Sequence, residues 1–352
     1  MYIIVAIIAF GVLITVHELG HFTAAKALGV RVNEFAIGMG PKLLKKQGKE
    51  TLYSLRALPL GGFCALEGEN GDSADARSFG MQKRWRRIVI LASGSVSNIL
   101  LGFIIVIILV SGMKSFTGTT ITKLEDGFPN KGVDGLMAGD TVISINGERL
   151  YYIDDFRLFM QIYDNGKVDL VIRRDGESIK LNEFPMERRE YTVDGKTELR
   201  FGITMNRIEG NAWEKLKFSC YSAYNYIRLV RVSLAQLISG TVGVRDLSGP
   251  VGIIDAMNDV GRSSSTALEA LASIANFTAI IAINIAVMNL LPIPALDGGR
   301  IVFIIITWII EKVIRRRVDP KYEGYIHTAT MALLMGLMVF ILINDVVKIV
   351  SG

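Results

Sequence analysis

The stretch "LITVHELGHF" (residues 13–22) sets His17, Glu18 and His21 inside one of the most apolar parts of the chain. On a helix His17 and His21 are i and i+4, so both imidazoles point to one face. Two neutral imidazoles at that spacing can bind one Zn²⁺, and the adjacent glutamate can activate a water. Hydrolysis needs water, which a lipid-facing helix lacks. The motif is therefore either a coincidence or the mark of hydrolytic chemistry at bilayer depth. Ionisable side chains in an apolar span are costly, which favours the functional reading. The chain has three histidines, and two of them are in this motif.

The 352 residues are 50% hydrophobic, with a mean hydropathy of +0.38. Four runs are long enough to cross ~30 Å of hydrocarbon as helices: about Tyr2–Leu28, Arg87–Gly112, Ala267–Leu291 and Ile326–Val350. The N-terminal run has no basic leader and no small-residue cleavage site, so it is read as a retained span. "IVFIIITWII" (residues 301–310) is too short to span and is read as a partly buried helix beside the third span.

The net charge of +5 is meaningful only loop by loop. Residues 29–87 carry 11 Lys/Arg against 6 Asp/Glu, and residues 311–325 carry 5 against 3. Residues 113–214 carry 14 against 18. The positive-inside bias places the two basic loops in the cytoplasm, and the acidic segment and both termini outside. With the basic residues so assigned, nothing supports nucleic-acid binding. Cys64 and Cys220 then lie on opposite sides of the membrane and are expected to be free thiols.

The fold class expected is an α-helical polytopic membrane protein of about four spans, with a small β-rich domain inserted. Residues 1–112 form the first part of the membrane core. Residues 113–210 carry alternating runs such as "TITKL", "TVISING" and "VDLVIRR", broken by Gly, Asn and Asp. "GLMAGDTVISINGERL" (135–150) resembles the PDZ pattern of a Gly-Asp turn, a strand and Asn-Gly, and a helix is expected near residues 153–163. PDZ domains bind extended chain ends at a sheet edge. Residues 211–265 read as an amphipathic interfacial helix and linker, with Trp213 and the tyrosines at headgroup level. Residues 266–352 form the second part of the core.

A catalytic zinc usually takes three protein ligands. The candidate third stands in "NLLPIPALDGGR" (289–300), where Asp297 is the only carboxylate between Glu269 and Glu311. Pro292 and Pro294 break the helix, and Gly298 and Gly299 permit a sharp turn. At ~1.5 Å per residue, His17 lies about 24 Å along the first span, in its cytoplasmic half. Asp297 follows an inward-running third span and reaches a similar depth.

"HELGH", the PDZ-like insert and "NLLPIPALDGG" together resemble the site-2 proteases, intramembrane zinc metalloproteases, in particular the bacterial RseP/RasP type with a single PDZ domain. The resemblance covers nearly the whole chain. "GMGPKL" (38–43) resembles a motif that follows the family's first helix, "LPLGGFCALEGE" (58–69) its membrane-re-entrant β-hairpin, and "SGPVGI" (248–253) the segment before its third span. One departure is "GSVSN", with Ser95 where the family usually has proline and Asn98 retained.

The resemblance implies that His17, His21 and Asp297 hold one zinc ion and that Glu18 is the general base. It leaves Asn289 and Asn98 as candidates for holding substrate backbone or an oxyanion, against plain helix–helix hydrogen bonding. Leu60, Gly61, Gly62 and Phe63 in the hairpin are candidates for receiving an extended substrate segment as an added strand. The implied activity is cleavage of transmembrane segments of single-pass proteins pre-trimmed by a first protease, such as anti-sigma factors or remnant signal peptides. The implied location is the bacterial cytoplasmic membrane, with the active site toward the cytoplasm. Rival readings are a metal transporter, which would show repeated halves, and a non-catalytic PDZ scaffold, which would not need Glu18.

Overall fold

The computed structural model describes residues 2–69, 73–163, 166–193, 196–241, 243, 249–315 and 321–351. The side chains of Leu60 and His327 lie outside the described ones, as does Ser248. The chain divides into two units, Met1–Leu109 with Tyr226–Gly352, and Val110–Asn225.

The first unit is built on long apolar helices. α1 (Tyr2–Ala27) and α2 (Arg84–Ser111) have no interior proline to interrupt them. α4 (Ala212–Ser239) begins in the other unit, and α5 (Pro250–Arg262) follows it. α6 (Ala267–Asn289) starts at Thr266, whose side chain accepts from the Glu269 amide as an N-cap. α7 (Asp297–Ile314) and α8 (Lys321–Ser351) complete the unit. Among the described residues four helices are long and apolar enough to cross a membrane: Tyr2–Ala27, Arg84–Ser111, Ala267–Asn289 and Gly324–Asp345. The stretch expected to be a short helix at 301–310 is the middle of α7.

Two apolar clusters bracket the HELGH motif. One joins Ala6 and Leu13 of α1 to Met257 of α5 and to Ile274, Ile281 and Ala282 of α6. The other joins Ala25 at the end of α1 to Val32, Leu66, Phe79, Ile90, Leu91 and Ile304. His17 and His21 fall between Leu13 and Ala25, so both ends of the motif-bearing segment are pinned by buried aliphatic surface. Asp345 of α8 is buried and accepts from the backbone amides of Gly249 (3.0 Å) and Gly252 (2.9 Å). A carboxylate there satisfies orphan amides at the start of α5 and complements its dipole.

The expected re-entrant hairpin is longer than the stretch 58–69 and is placed differently. β1 (Val32–Gln47) and β2 (Leu52–Leu66) pair antiparallel around the turn at 48–51, and "GMGPKL" lies within β1. Leu58–Leu66 is therefore the outgoing half of β2. The hairpin also folds over on itself. Phe35 partners Cys64 on one side and Tyr53 on the other, and Glu34, Ala36 and Ile37 are likewise doubly paired. Glu34 clamps this fold-over. Its carboxylate accepts from Ser54 Oγ (2.7 Å), Arg56 Nη2 (2.9 Å) and Lys42 Nζ (3.0 Å).

The second unit is a β-sheet with one helix packed on it. The sheet order is β10 (Ile203–Glu209), β3 (Ser115–Leu124), β4 (Thr141–Ile145), β6 (Lys167–Arg174) and β7 (Glu177–Pro185), all neighbours antiparallel. β5 (Glu148–Arg149) pairs with β4 across an Asn146-Gly147 turn in which both residues have positive φ, as a tight hairpin requires. The expected helix is α3 (Ile153–Ile162). The Gly-Asp turn is held by Arg174, which grips the buried Asp140 through two 2.7 Å bonds and also donates to the carbonyls of Val133 and Gly135. The hairpin of β8 (Arg189–Val193) and β9 (Lys196–Arg200) was not anticipated from the sequence. In α4, Phe218 stacks on Phe116 and Tyr221 on Tyr151, so these rings pack within the unit. Trp213 is exposed. Cys64 and Cys220 are both free.

Burial alone would raise the Glu34 carboxyl, but the three donors hold it at about 2. Its folded value is thus below its ordinary one of 4.5. The stabilisation is present at neutral pH and is lost as pH falls from about 4.5 toward 2. Glu34→Leu is expected to speed amide exchange in β1–β2 about tenfold at neutral pH, as for loss of charge-assisted bonds. Exchange in the second unit stays unchanged.

Candidate metal centre

His17 and His21 project from one face of α1, and Asp297 opens α7. The Asp297 Oδ2 atom lies 3.2 Å from His17 Nε2 and 3.3 Å from His21 Nε2. The two Nε2 atoms are themselves 3.2 Å apart. Among the described residues this is the one cluster of three or more His, Cys, Asp or Glu side chains with ligand atoms so close together.

The protonation pattern says what the triangle is for. His21 Nδ1 lies 2.8 Å from the Ile90 carbonyl, which only accepts, so Nδ1 carries a hydrogen and, in the neutral ring, Nε2 has the lone pair. Asn289 Nδ2 lies 3.3 Å from His17 Nε2, and an amide NH₂ only donates, so that Nε2 is also an acceptor. Two lone pairs and a carboxylate oxygen thus face one another. A proton between two of them relieves one contact; a divalent cation relieves all three. Zinc bonds of ~2.0–2.1 Å at tetrahedral angles put ligand atoms about 3.3 Å apart. The observed spacings fit that figure, with a face left for water.

Three local devices hold the triangle. First, α2 presents Gly94 to the histidines. A β-carbon there would lie 2.4 Å from His21 Nε2 and 2.8 Å from His17 Cε1. Second, the chain turns sharply between α6 and α7. Ala295 is at φ 85°, and β-carbons on Gly298 and Gly299 would fall 2.3 Å from the Leu290 carbonyl and 2.1 Å from that of Ile293. Third, Arg300, one turn after Asp297, pairs with Glu69 just beyond β2 and lies over the Phe79 ring, whose other cation–π partner is Arg87. The first turn of α7 is thereby tied to the outgoing end of the hairpin.

Glu18 sits beneath β2. It takes a backbone hydrogen bond from Cys64 and interacts electrostatically with His21, His17 and Asp297. The Gly62 backbone passes above it, a β-carbon there lying 3.7 Å from Glu18 Cγ. Gly61 is at φ 98° and abuts the Met39 side chain, while the Phe63 ring is covered by the Arg56 guanidinium. The structure thus brings together His17, His21, Asp297, Asn289 and Glu18, with the Gly61–Phe63 backbone alongside. Asn98 is fully buried in α2, one turn beyond Gly94. Sequence reasoning missed Gly94, the Ile90 carbonyl and the Arg300–Glu69 pair. The small-residue run "ASGSVSN" in an apolar helix is the signal that marks the first, since small residues let membrane helices approach.

The family model for peptidase family M50 matches residues 5–337. The chain belongs to this family, that of the site-2 proteases. A protein of Clostridium acetobutylicum named as a zinc metalloprotease is 36% identical over 98% of this chain and 97% of its own length. A similarly named protein of Clostridium perfringens is 35% identical over 99% of both chains. The regulator of sigma-W protease RasP of Bacillus subtilis is 26% identical over 99% of this chain and 98% of its own. As an M50 member the chain is a zinc-dependent metalloprotease, which leaves the transporter and scaffold readings behind.

Gly94→Ala drives a methyl group into the His21 ring. Zinc content after dialysis is expected to fall from about one equivalent to under about a tenth, measured by elemental analysis of the purified full-length protein.

Proposed function

We propose that this chain cleaves transmembrane segments of other membrane proteins, with His17, His21 and Asp297 as the zinc ligands and Glu18 as the general base. The observation that carries the reading is the convergence of three acceptor atoms beside Glu18, two from a helix long and apolar enough to span a bilayer and the third from the first turn of α7. When bound there, zinc polarises a carbonyl and makes water a stronger acid.

The chain's own residues do the rest. Glu18 accepts a proton from the attacking water and delivers it to the leaving nitrogen. The Cys64 amide orients the Glu18 carboxylate. Asn289, with its amide directed into the triangle, steadies the scissile carbonyl as negative charge grows on its oxygen. A helical substrate must unwind locally, because its carbonyls are shielded by their own hydrogen bonds. The backbone of Leu60–Phe63 runs above Glu18 and offers an edge for such an extended segment.

The second unit, read as PDZ-like and extracytoplasmic, acts in this proposal as a gate. It excludes substrates with bulky ectodomains or captures ends freed by an earlier cut. The name of the Bacillus relative ties that protein to sigma-W regulation. By that likeness the proposed substrates are single-pass regulators such as anti-sigma factors, or remnant signal peptides, in the bacterial cytoplasmic membrane. The proposed active site opens toward the cytoplasm.

The test uses full-length protein in detergent with a tagged single-pass substrate. Glu18→Gln is expected to lower cleavage by 10² or more while keeping about one zinc; undiminished cleavage sinks the assignment of the base. His17→Ala is expected to lose the zinc. Deleting residues 117–205 is expected to allow cleavage of an untrimmed substrate that the intact protein spares, and an unchanged cleavage pattern refutes the gate.

A further inference from the structure

The two histidines of the triangle are not supported alike. His21 has its outer ring nitrogen bonded to the Ile90 carbonyl. His17 Nδ1 is buried and has no hydrogen-bond partner among the described residues. Metal-binding histidines almost always donate that second N–H, which sets the tautomer and the ring's orientation. A buried N–H left unpaired is destabilising, because its lost hydration is not replaced.

Three more orphan atoms lie close by on α2. Asn98 is fully buried, and both Nδ2 and Oδ1 lack partners among the described residues. Ser95 is fully buried, and its Oγ also lacks one, although helical serines commonly bond to the carbonyl four residues back. Gly94 anchors the geometry. A β-carbon on it would touch both histidine rings, His17 through Cε1, the atom between Nδ1 and Nε2. His21 leans toward Ile90, one turn before Gly94. His17 stands one turn earlier on α1, and Asn98 one turn after Gly94 on α2. Neighbours at i and i+4 are about 6 Å apart on a helix face. Further along α2, Gly102 abuts Ala279 and Ile283 of α6.

We propose that Ser95 and Asn98 hold one enclosed water against His17 Nδ1, so that Asn98 is a positioning residue for the metal centre rather than a substrate contact. The water accepts from His17 Nδ1–H and donates to Asn98 Oδ1 and Ser95 Oγ. Three polar partners are what an internal water typically has. A single bridging water can serve polar groups that make no direct bond to one another. The inference rests on His17 being a zinc ligand.

The test is zinc affinity of the full-length protein in detergent, by chelator competition, together with the visible spectrum of the cobalt-substituted protein. Asn98→Leu keeps the shape, removes the polar atoms and excludes the water. It is expected to weaken zinc binding 10–100-fold and to shift the cobalt bands, with the melting temperature of the metal-free protein unchanged. Asn98→Ala leaves room for a second water and is expected to stay within about threefold of the parent. Parent-like affinity and spectrum in Asn98→Leu overturn the inference. So does an equal loss in Asn98→Ala accompanied by a lower metal-free melting temperature, which marks a packing role. His17→Ala separates the two levels. If it binds zinc like the parent, the ligand assignment itself fails. If it loses zinc while Asn98→Leu does not, only the water-held positioning fails.

Discussion

Two imidazole lone pairs and a carboxylate oxygen meet within about 3.3 Å in an apolar helix cluster. Left to themselves, these acceptors repel, and water cannot dilute their field as it does at a surface. A proton relieves part of this repulsion, and a divalent cation would relieve it at all three atoms. Much of the first unit follows from bringing them together. α1 supplies two atoms by its own periodicity. The third needs a chain reversal so tight that Ala295 takes a left-handed conformation and two successive glycines pass against carbonyls. Strain of that kind persists only where the surroundings over-determine it. Here they do so through the Arg300–Glu69 pair and the aliphatic cluster around Ile304.

The folded-over hairpin meets a different demand. On the proposed activity, the substrate arrives as a helix, and its unwound segment needs an alternative partner for its backbone. A free edge strand does this, but inside a membrane protein unpaired backbone is expensive. Doubling β1 against two parts of β2 satisfies most of the hairpin's amides within the hairpin itself. Glu34 secures the fold with three donors, and what remains at Gly61–Phe63 lies over Glu18.

HELGH, the four long apolar runs and the Pro-Gly-rich "PIPALDGGR" were legible in the sequence because each is a local pattern with a local cause: helical spacing, hydrophobic length, helix breaking. The β strands of the second unit were legible for the same reason, apart from the β8–β9 hairpin. The hairpin's true extent was not, because its pairing depends on register between segments as far apart as Glu34 and Ala65. A bent strand carrying Pro59, Gly61 and Gly62 reads locally as a turn. Gly94 was not picked out, since its role is the absence of a side chain, visible only once the histidines stand opposite. Tyr221 read as an interfacial anchor because an amphipathic helix pattern does not say whether its aromatic face meets lipid or protein.

The centre is assembled from opposite ends of the chain. His17 and His21 are made among the first residues, whereas Asp297 and the turn that aims it come some 280 positions later. During synthesis the early motif enters the bilayer long before its partner exists. Two imidazoles alone hold zinc far more weakly than three ligands do, so an unfinished or truncated chain carries the signature of a hydrolase without its chemistry. On the proposed ligand assignment, the centre forms only once Asp297 has been translated and the turn between α6 and α7 is in place.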